Sequence, residues 1–194
     1  MDVIIRKISS LDADKYIEFF DYTAHDTKLE KDKCYCVGWN DSNDNLTYSD
    51  KDTRRTYAHK YVIEEKITGY IAELDNKIIG WVNVNHKTNC SQCANWKNYM
   101  SYVPMDQKKV LSIYCFVVNE KYYRQGIASQ LLKKVIEDAI VEDYDLIESY
   151  PYEEKLHGYS NFGGYVSMYE KEGFKLTLKT EYGLVMQKKL KWGA

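Results

Sequence analysis

The sequence predicts an α/β (α+β) fold in which about four helices flank a mixed central sheet of six to seven strands. Two patterns lead to this prediction. A tight turn at Asp75-Asn76 joins two apolar runs, which is typical of an antiparallel hairpin. Further along, an apolar run at 110–118, an amphipathic helix and a second run at 144–150 form one strand–helix–strand unit, whose two strands should be parallel.

The N-terminal region, residues 1–66, is predicted to be largely helical. An alternating strand at 3–8 precedes a helix at 12–22, in which apolar residues recur at helical spacing. Ser49 or Asp50 can cap a second helix that runs to the end of this region, because either side chain can accept a hydrogen bond from a free backbone N–H. Between the two helices the chain is polar and charged and predicts no regular element.

Residues 67–190 contain the other strands and the strongest helix. The nearly continuous apolar run at 110–118 is typical of a central strand that is covered on both faces. The helix at 126–141 has an apolar stripe on one side and i,i+4 charge pairs on the other. Residues 85–108 form a polar connection that is too long for an ordinary hairpin loop, which indicates a functional or disordered segment. The remaining predicted elements are hairpin strands at 69–74 and 77–84, a strand at 144–150, a short helix at 165–172, and final strands at 177–178 and 182–190.

Size and charge exclude several classes of protein. A chain of 194 residues without internal repeats or linkers is interpreted as one domain, 1–194. Lys and Arg total 27 against 29 Asp and Glu, so the basic excess of a duplex-binding protein is missing. No stretch has the roughly 18–20 apolar residues of a membrane span, and the first residues lack the pattern of a signal peptide. We therefore expect a cytoplasmic protein that binds neither nucleic acid nor membrane.

The five cysteines form two close pairs, Cys34-x-Cys36 and Cys90-x-x-Cys93, with Cys115 alone. Four thiolates could hold a zinc ion, but Cys-x-Cys is tighter than the usual knuckle spacing and no glycine shapes a turn around the second pair. We therefore expect no metal, although the pattern leaves a zinc or redox role open. Cys115 lies in an apolar run and is predicted to be a buried hydrophobic residue.

The turn between the central strand and the main helix is the strongest candidate binding site. It ends in Gly126-Ile127-Ala128-Ser129, where the first helical N–H groups are free and the helix dipole is positive. Small residues there let phosphates approach the backbone, and Lys121 and Arg124 add positive charge. Alternatively, Gly126 only begins a helix. The turn is neither a Walker loop nor a three-glycine dinucleotide motif.

This segment resembles the GNAT superfamily of acyl-CoA-dependent N-acetyltransferases. That family binds the CoA pyrophosphate with a Gln/Arg-x-x-Gly-x-Gly/Ala motif that follows a strand ending in valine. Here Tyr123-Arg124-Gln125-Gly126-Ile127-Ala128 follows Val118, and Tyr123 replaces the usual Gln or Arg. The hairpin at 69–84 and the segment Met168-Tyr169-Glu170-Lys171-Glu172-Gly173-Phe174 are also similar to the family's. The resemblance covers residues 67–190 and implies a mostly antiparallel sheet and acetyl-CoA as co-substrate.

The resemblance also implies roles for individual residues. Tyr169 matches the tyrosine that donates a proton to the departing thiolate; its alternative role is that of a half-buried helix aromatic. Glu148 is the one carboxylate in the core strands beside the site, and burial would make it a better base. It could instead anchor the amine or face solvent. Cys115 is disfavoured as an acyl-carrying nucleophile, because direct attack needs none. The pyrophosphate would bind Tyr123, Arg124, Gln125, Gly126, Ile127, Ala128 and Ser129, and the pantetheine arm would bind the backbone of Phe116, Val117 and Val118, where two strands separate.

The sequence therefore predicts an N-acetyltransferase that moves an acetyl or other acyl group from acetyl-CoA to a primary amine of a small molecule or peptide by direct attack. A catalytically silent CoA-binding or partner-interaction domain is the alternative, and the altered Tyr123 favours it. A metal-stabilised or thiol-redox protein is a third hypothesis. Monomer and homodimer are both compatible with the sequence.

Overall fold

The computed structural model describes residues 2–23, 28–105, 108–151 and 162–191. Its N-terminal part contains β1 (Ile4–Lys7), α1 (Ala13–Tyr22), α2 (Asp44–Thr47) and α3 (Lys51–Ile63). The strands β2 (Gly69–Leu74) and β3 (Lys77–His86) follow, and then the helices α4 (Lys87–Cys90) and α5 (Ala94–Tyr99). The chain continues through β4 (Val110–Val118), α6 (Ile127–Val141), β5 (Leu146–Ser149), α7 (Val166–Lys171), β6 (Lys175–Lys179) and β7 (Leu184–Lys189).

The seven strands form one sheet in the order β1-β2-β3-β4-β5-β7-β6. β4 and β5 are parallel, as the predicted crossover requires, and every other neighbouring pair is antiparallel. The predicted mixed, mostly antiparallel sheet is therefore confirmed. The four predicted helices are α1, α3, α6 and α7, and the described ranges add three short ones, α2, α4 and α5. These three have only four to six residues, too few for an apolar period to show in the sequence.

One face of the sheet is covered by the N-terminal helices, and we call it the α1/α3 face. Tyr16 and Phe20 of α1 and Tyr61 of α3 are buried in the same core as Trp81 of β3. Asp50 caps α3 by accepting the N–H of Thr53 at 2.8 Å, as one of the two predicted caps requires.

The opposite face, the α6 face, is covered by α6 and α7. The predicted apolar stripe of α6, including Leu131, Leu132 and Val135, is buried against Val82 of β3 and Ile113 of β4. No helix in the described ranges combines the length and the apolar character that crossing a membrane would need.

β4 and β5 are paired at one end only. The parallel register on β4 runs from Val110 to Ile113, where the partner is Ser149, the last residue of β5. β4 continues to Val118 without β5 beside it. We call the opening between β4 beyond Ile113 and the end of β5 the fork.

A bulge in β4 lies at the base of the fork. Asn83 of β3 pairs with Cys115, and the next residue, Val84, pairs with Ile113. Tyr114 is therefore the extra residue on β4. A bulge bends its strand and re-aims side chains, and here it directs both Tyr114 and Cys115 to the core of the α1/α3 face.

Candidate functional site

The turn before α6 folds back sharply at the carboxyl end of β4. The N–H of Asn119 donates to the carbonyl oxygen of Ile79 at 2.9 Å, and the Asn119 side chain accepts the N–H of Lys121 at 3.1 Å. Arg124 and Gly126 then adopt φ values of 59° and 78°. These two left-handed residues redirect the chain into the helix, and the second of them is the glycine that such a conformation favours.

The start of α6 is open to solvent. Gly126 is exposed, and a Cβ placed on it would meet no heavy atom within 4 Å. The N–H groups of Ile127, Ala128 and Ser129 have no acceptor among the described residues, whereas the N–H of Gln130 donates to the Gly126 carbonyl. Free N–H groups and the helix dipole attract an anion. This 15-residue helix therefore presents an anion-binding end with room for a phosphate.

The residues just before Gly126 form hydrogen bonds within the turn. The N–H of Tyr123 already donates to the carbonyl of Glu120 at 3.2 Å, and the Tyr123 side chain is 58% exposed. Gln125 donates from its side-chain amide to the carbonyl of Lys121 at 3.0 Å, which braces the turn. The Tyr123 side chain thus lies at the solvent-exposed surface of the turn, while its backbone N–H is engaged within the turn.

The predicted pantetheine-binding residues lie along the fork. Phe116 is buried, and its N–H donates to the carbonyl oxygen of Phe162 at 2.6 Å. The segment at 162–164 therefore runs beside β4 where β5 has ended. Val117 and Val118 continue the strand toward the turn, so the fork and the anion-binding end of α6 are joined by β4 itself.

Tyr169 reaches the fork from the α6 face. Its side chain is fully buried, with ring centroids 6.4 Å from Phe116 and 5.1 Å from Phe174. The hydroxyl donates to the carbonyl oxygen of Gly163 at 2.7 Å. Burial raises the pKa of Tyr169 well above its ordinary value, so the phenol is protonated in the resting protein.

Glu148 lies on the α1/α3 face, near the end of β5. Its side chain is 1% exposed, which excludes the solvent-facing alternative. One oxygen, Oε1, lies 2.5 Å from Lys87 Nζ and accepts the Tyr150 hydroxyl at 2.7 Å. The other, Oε2, accepts the side-chain amide of Gln187 at 2.6 Å.

Lys87 is the residue of this cluster that sequence reasoning missed. It lies in the polar connection at 85–108, where nothing in the pattern indicates a buried side chain, yet it is 2% exposed. Its ammonium also donates to the carbonyl of Pro104 at 2.8 Å and lies 5.9 Å from the ring centroid of Trp96. A lysine is rarely buried unless it is paired, and Glu148 is that partner.

A chain of hydroxyl groups connects Glu148 to β4. The Tyr150 hydroxyl lies 2.8 Å from Ser112 Oγ. The Tyr150 ring stacks on Tyr114 with 5.5 Å between centroids, and Tyr114 stacks on Trp39 at 4.8 Å. The Tyr114 hydroxyl is buried and interacts with Cys90 and Ser112. Tyr114 and Tyr150, two of the 19 tyrosines in the sequence, thus lie together at the base of the fork.

The cysteines are free thiols. Cys36 interacts with Cys34 and with Cys115, whose hydrogen bond raises the pKa of the Cys36 thiol. Cys90 interacts with Cys93, and burial raises the pKa of Cys90. Within the part of the chain that the structure describes, no three His, Cys, Asp or Glu side chains are arranged to hold a metal ion. Cys115 is 5% exposed and lies in the apolar core, as its sequence context predicts.

Two surface cavities lie away from the fork. One, of about 530 Å³, lies between α1 and α3 and is bounded by Asp14, Asp21 and Arg55 among others. Another, of about 410 Å³, includes Asn85 and Tyr144 in its wall. None of the predicted site residues lines either cavity, so neither is the predicted site.

Comparisons with known proteins show the family and the fold of this chain. A family model described as the acetyltransferase (GNAT) family matches residues 30–150, which include the turn before α6 and Glu148 but not Tyr169. A sequence search of curated proteins found no match.

Solved structures share the fold over nearly the whole length of the chain. PaiA N-acetyltransferase from Thermoplasma acidophilum in complex with coenzyme A is 15% identical, with a TM-score of 0.52 and coverage of 97% of this chain and 99% of that one. An acetyltransferase of the GNAT family from Streptococcus pneumoniae is 18% identical, with a TM-score of 0.52 and the same coverages of 97% and 99%. Ribosomal-protein-alanine N-acetyltransferase from Brucella melitensis is 13% identical, with a TM-score of 0.54 and coverages of 96% and 99%. At these identities the likeness shows the fold.

Proposed function

This chain belongs to the acetyltransferase (GNAT) family, and on that premise we propose that it is an N-acetyltransferase that moves the acetyl group of acetyl-CoA to a primary amine. The observation that carries the proposal is the juxtaposition of two features on β4: the anion-binding end of α6 and the fork. Two structural neighbours support it, since one was solved in complex with coenzyme A and another is a ribosomal-protein-alanine N-acetyltransferase. The acceptor of this chain is proposed to be a small molecule or a peptide.

The open end of α6 fits a pyrophosphate. The first backbone N–H groups of the helix have no acceptor among the described residues. The space beside Gly126 is empty, because a Cβ built there would meet no heavy atom within 4 Å. Ile127, Ala128 and Ser129 would supply N–H donors, and Arg124 would add a positive charge. The pantetheine arm would then lie along Phe116, whose N–H exchanges its bond to Phe162 for a bond to the ligand.

Acetyl-CoA supplies an activated acetyl group as a thioester, and the residues of this chain would move the protons. Tyr169 is proposed to donate its phenolic proton to the departing sulfur, after turning away from the Gly163 carbonyl. Glu148 is proposed to be the final acceptor of the amine's proton. The two residues approach the fork from opposite faces of the sheet, which suits an acid and a base that act on opposite sides of one carbonyl.

A two-part assay tests the proposal. Calorimetry with acetyl-CoA should show binding, and release of free thiol should follow when diamines, arylalkylamines, amino-acid amides or short peptides are added. Mass spectrometry then identifies an amine that carries one more acetyl group. Absence of acetyl-CoA binding would overturn the proposal.

The second candidate is a silent CoA-binding domain. Two observations favour it. Tyr123 stands where the family motif usually has Gln or Arg. In addition, the carbonyl oxygens of Phe162 and Gly163 already accept the Phe116 N–H and the Tyr169 hydroxyl. Acetyl-CoA binding without thiol release in the presence of any amine of the panel would support this candidate.

A further inference from the structure

Glu148 cannot reach an acceptor amine directly. Both of its carboxylate oxygens accept bonds from the chain itself, from Tyr150 and Lys87 on one side and from Gln187 on the other. Only 1% of the side chain is exposed. An amine that touched this carboxylate would have to displace a bonded partner from a buried ion pair, which is costly. Glu148 can therefore exchange a proton with a substrate only through one of its neighbours.

Tyr150 is the neighbour whose position suits that exchange. It directly follows Ser149, the last residue of β5, and so lies at the base of the fork. Its hydroxyl is 2.7 Å from Glu148 and 2.8 Å from Ser112. Because a carboxylate can only accept, Tyr150 donates to Glu148, and the Ser112 hydroxyl donates to Tyr150. The Tyr150 proton is thus aligned toward Glu148. Its oxygen accepts the Ser112 hydroxyl on the side of β4, so an amine that reached the buried Tyr150 would replace the bond of a neutral serine and not that of an ion pair.

One unpaired polar side chain on β3 is a sign of a ligand that does not depend on Tyr150. The Tyr114 hydroxyl of the neighbouring strand is buried beside Cys90 and Ser112. Asn83, whose pairing with Cys115 borders the bulge, is completely buried, and neither atom of its carboxamide has a partner among the described residues. Buried polar groups are nearly always hydrogen-bonded, so the Asn83 carboxamide is suited to bind polar atoms of an acceptor.

The surrounding rings indicate the kind of acceptor. Trp39 stacks on Tyr114 at 4.8 Å, and Trp96 meets Tyr150 edge to face at 5.8 Å. The charge of Glu148 is already balanced by Lys87. A polycation would find no uncompensated carboxylate in this cluster, whereas a flat or apolar group beside the amine would pack on the rings.

We propose that Tyr150 is the catalytic residue that takes the proton of the acceptor amine, with Glu148 as the final proton acceptor and Lys87 as a positioning residue that holds Glu148. This inference rests on the proposed function. The ammonium form of the acceptor first gives one proton to the Tyr150 oxygen, while the original Tyr150 proton moves to Glu148 Oε1, which becomes neutral. The neutral amine then bonds to the acetyl carbon, and the sulfur leaves with the electron pair of the broken C–S bond and takes the Tyr169 proton. Water accepts the second nitrogen proton and reprotonates Tyr169, and Glu148 later returns its proton to water through Tyr150.

The resting state agrees with such a relay. Burial and the nearby Glu148 raise the pKa of Tyr150 well above its ordinary value. Tyr150 therefore remains a phenol and passes a proton on without being left as a phenolate.

Two acceptors of nearly equal shape, benzylamine and phenylhydrazine, distinguish an effect of a substitution on proton transfer from an effect on packing. Benzylamine is an ammonium ion at neutral pH, whereas the attacking nitrogen of phenylhydrazine is already neutral. Tyr150→Phe removes only the hydroxyl. We expect its kcat/KM for benzylamine to fall about 10²-fold or more, and that for phenylhydrazine to fall less than about tenfold. Tyr114→Phe, which deletes a hydroxyl from the adjacent ring, should lower both values by a similar factor. Equal losses for both nucleophiles in Tyr150→Phe would overturn the relay.

A second measurement needs no acceptor. In protein labelled with ¹³Cζ-tyrosine, the Tyr150 resonance is the one that disappears in Tyr150→Phe. We expect this resonance to shift in Glu148→Gln, because a carboxylate acceptor becomes an amide. Glu148→Gln leaves the buried Lys87 without a counter-ion. If this single variant does not fold, the double variant Glu148→Gln, Lys87→Met is used in its place.

The two readouts distinguish failure of the relay from failure of the proposed function. An unmoved resonance in the folded variant overturns the relay even when the wild-type protein transfers acetyl groups. Absence of acetyl-CoA binding in the wild-type protein overturns the proposed function, and with it the catalytic role of Tyr150.

Discussion

The hydroxyl of Tyr169 and the carbonyl oxygen of Gly163 are joined by a 2.7 Å hydrogen bond. The same short segment reaches β4, where the carbonyl of Phe162 accepts the N–H of Phe116. Residues 162–164 thus connect the proposed acid on α7 to the strand proposed to hold the pantetheine arm. We expect a ligand arm along β4 to break the Phe116 bond and, by moving this segment, to release the Tyr169 hydroxyl for proton donation.

Tyr169→Phe keeps the ring and deletes the hydroxyl. We expect kcat to fall by about 10 to 10³ with little change in acetyl-CoA affinity, because the proton is needed only as the sulfur departs. The Gly163 carbonyl also loses its donor, so the free energy of unfolding should fall by about 1–3 kcal/mol. Steady-state kinetics and urea unfolding measure the two effects. Tyr165→Phe, at an exposed position beside α7, is the matched control, and a wild-type kcat in Tyr169→Phe would leave Tyr169 only its structural role.

Gly126→Ala places a methyl group in the space proposed for the pyrophosphate. We expect acetyl-CoA affinity to fall at least about tenfold, equivalent to roughly 1.4 kcal/mol. The left-handed backbone, with φ of 78°, adds a strain that lowers stability, by about 1–2 kcal/mol. Gly173→Ala, at a φ of 83° on the far end of α7, introduces the same strain away from the turn and should leave the affinity unchanged. Calorimetry measures the acetyl-CoA affinity of both variants. If Gly126→Ala binds acetyl-CoA as tightly as the wild-type protein does, the pyrophosphate binds elsewhere.

Asp12 should make the stability depend on acid pH. The paired hydrogen bonds from Arg6, both 2.7 Å long, lower the pKa of Asp12 to about 2 in the folded protein. Since the unfolded pKa is about 3.9, the stabilisation is present above that pH and is lost as the pH falls toward 2. Asp12→Asn should be less stable at neutral pH and should depend less on pH between about 4 and 2. Thermal melts across this range test it, with Asp75→Asn in the exposed turn as the control; parallel curves for Asp12→Asn and wild type would contradict it.

Zinc should be sub-stoichiometric in the purified protein. No metal-binding group of three side chains is present in the described ranges, and Cys90 and Cys93 are buried against each other. Elemental analysis tests this expectation. Near-stoichiometric zinc that is lost in Cys93→Ser or Cys34→Ser would show that the cysteine pairs form a structural metal site.

The core strands and the main helix could be predicted because their signals are local. The run 110–118 and the stripe of α6 each show their burial within a few residues, and the turn at Gly126 needs a left-handed residue whatever surrounds it. The short helices α4 and α5 could not be predicted, because tertiary contacts such as the burial of Lys87 and Trp96 hold them in place. Their own sequence is polar and gives no period.

The sequence by itself determined the strands, the crossover and the turn before α6, since periodicity and a required φ are properties of neighbouring residues. Only the tertiary structure decided what surrounds Glu148. Lys87 comes from α4, Tyr150 from just beyond β5, and Gln187 from β7, where it is the register partner of Glu148. A shift of one residue in strand register would turn Gln187 to the other face. Such partners depend on how distant segments align, and no local pattern records that alignment.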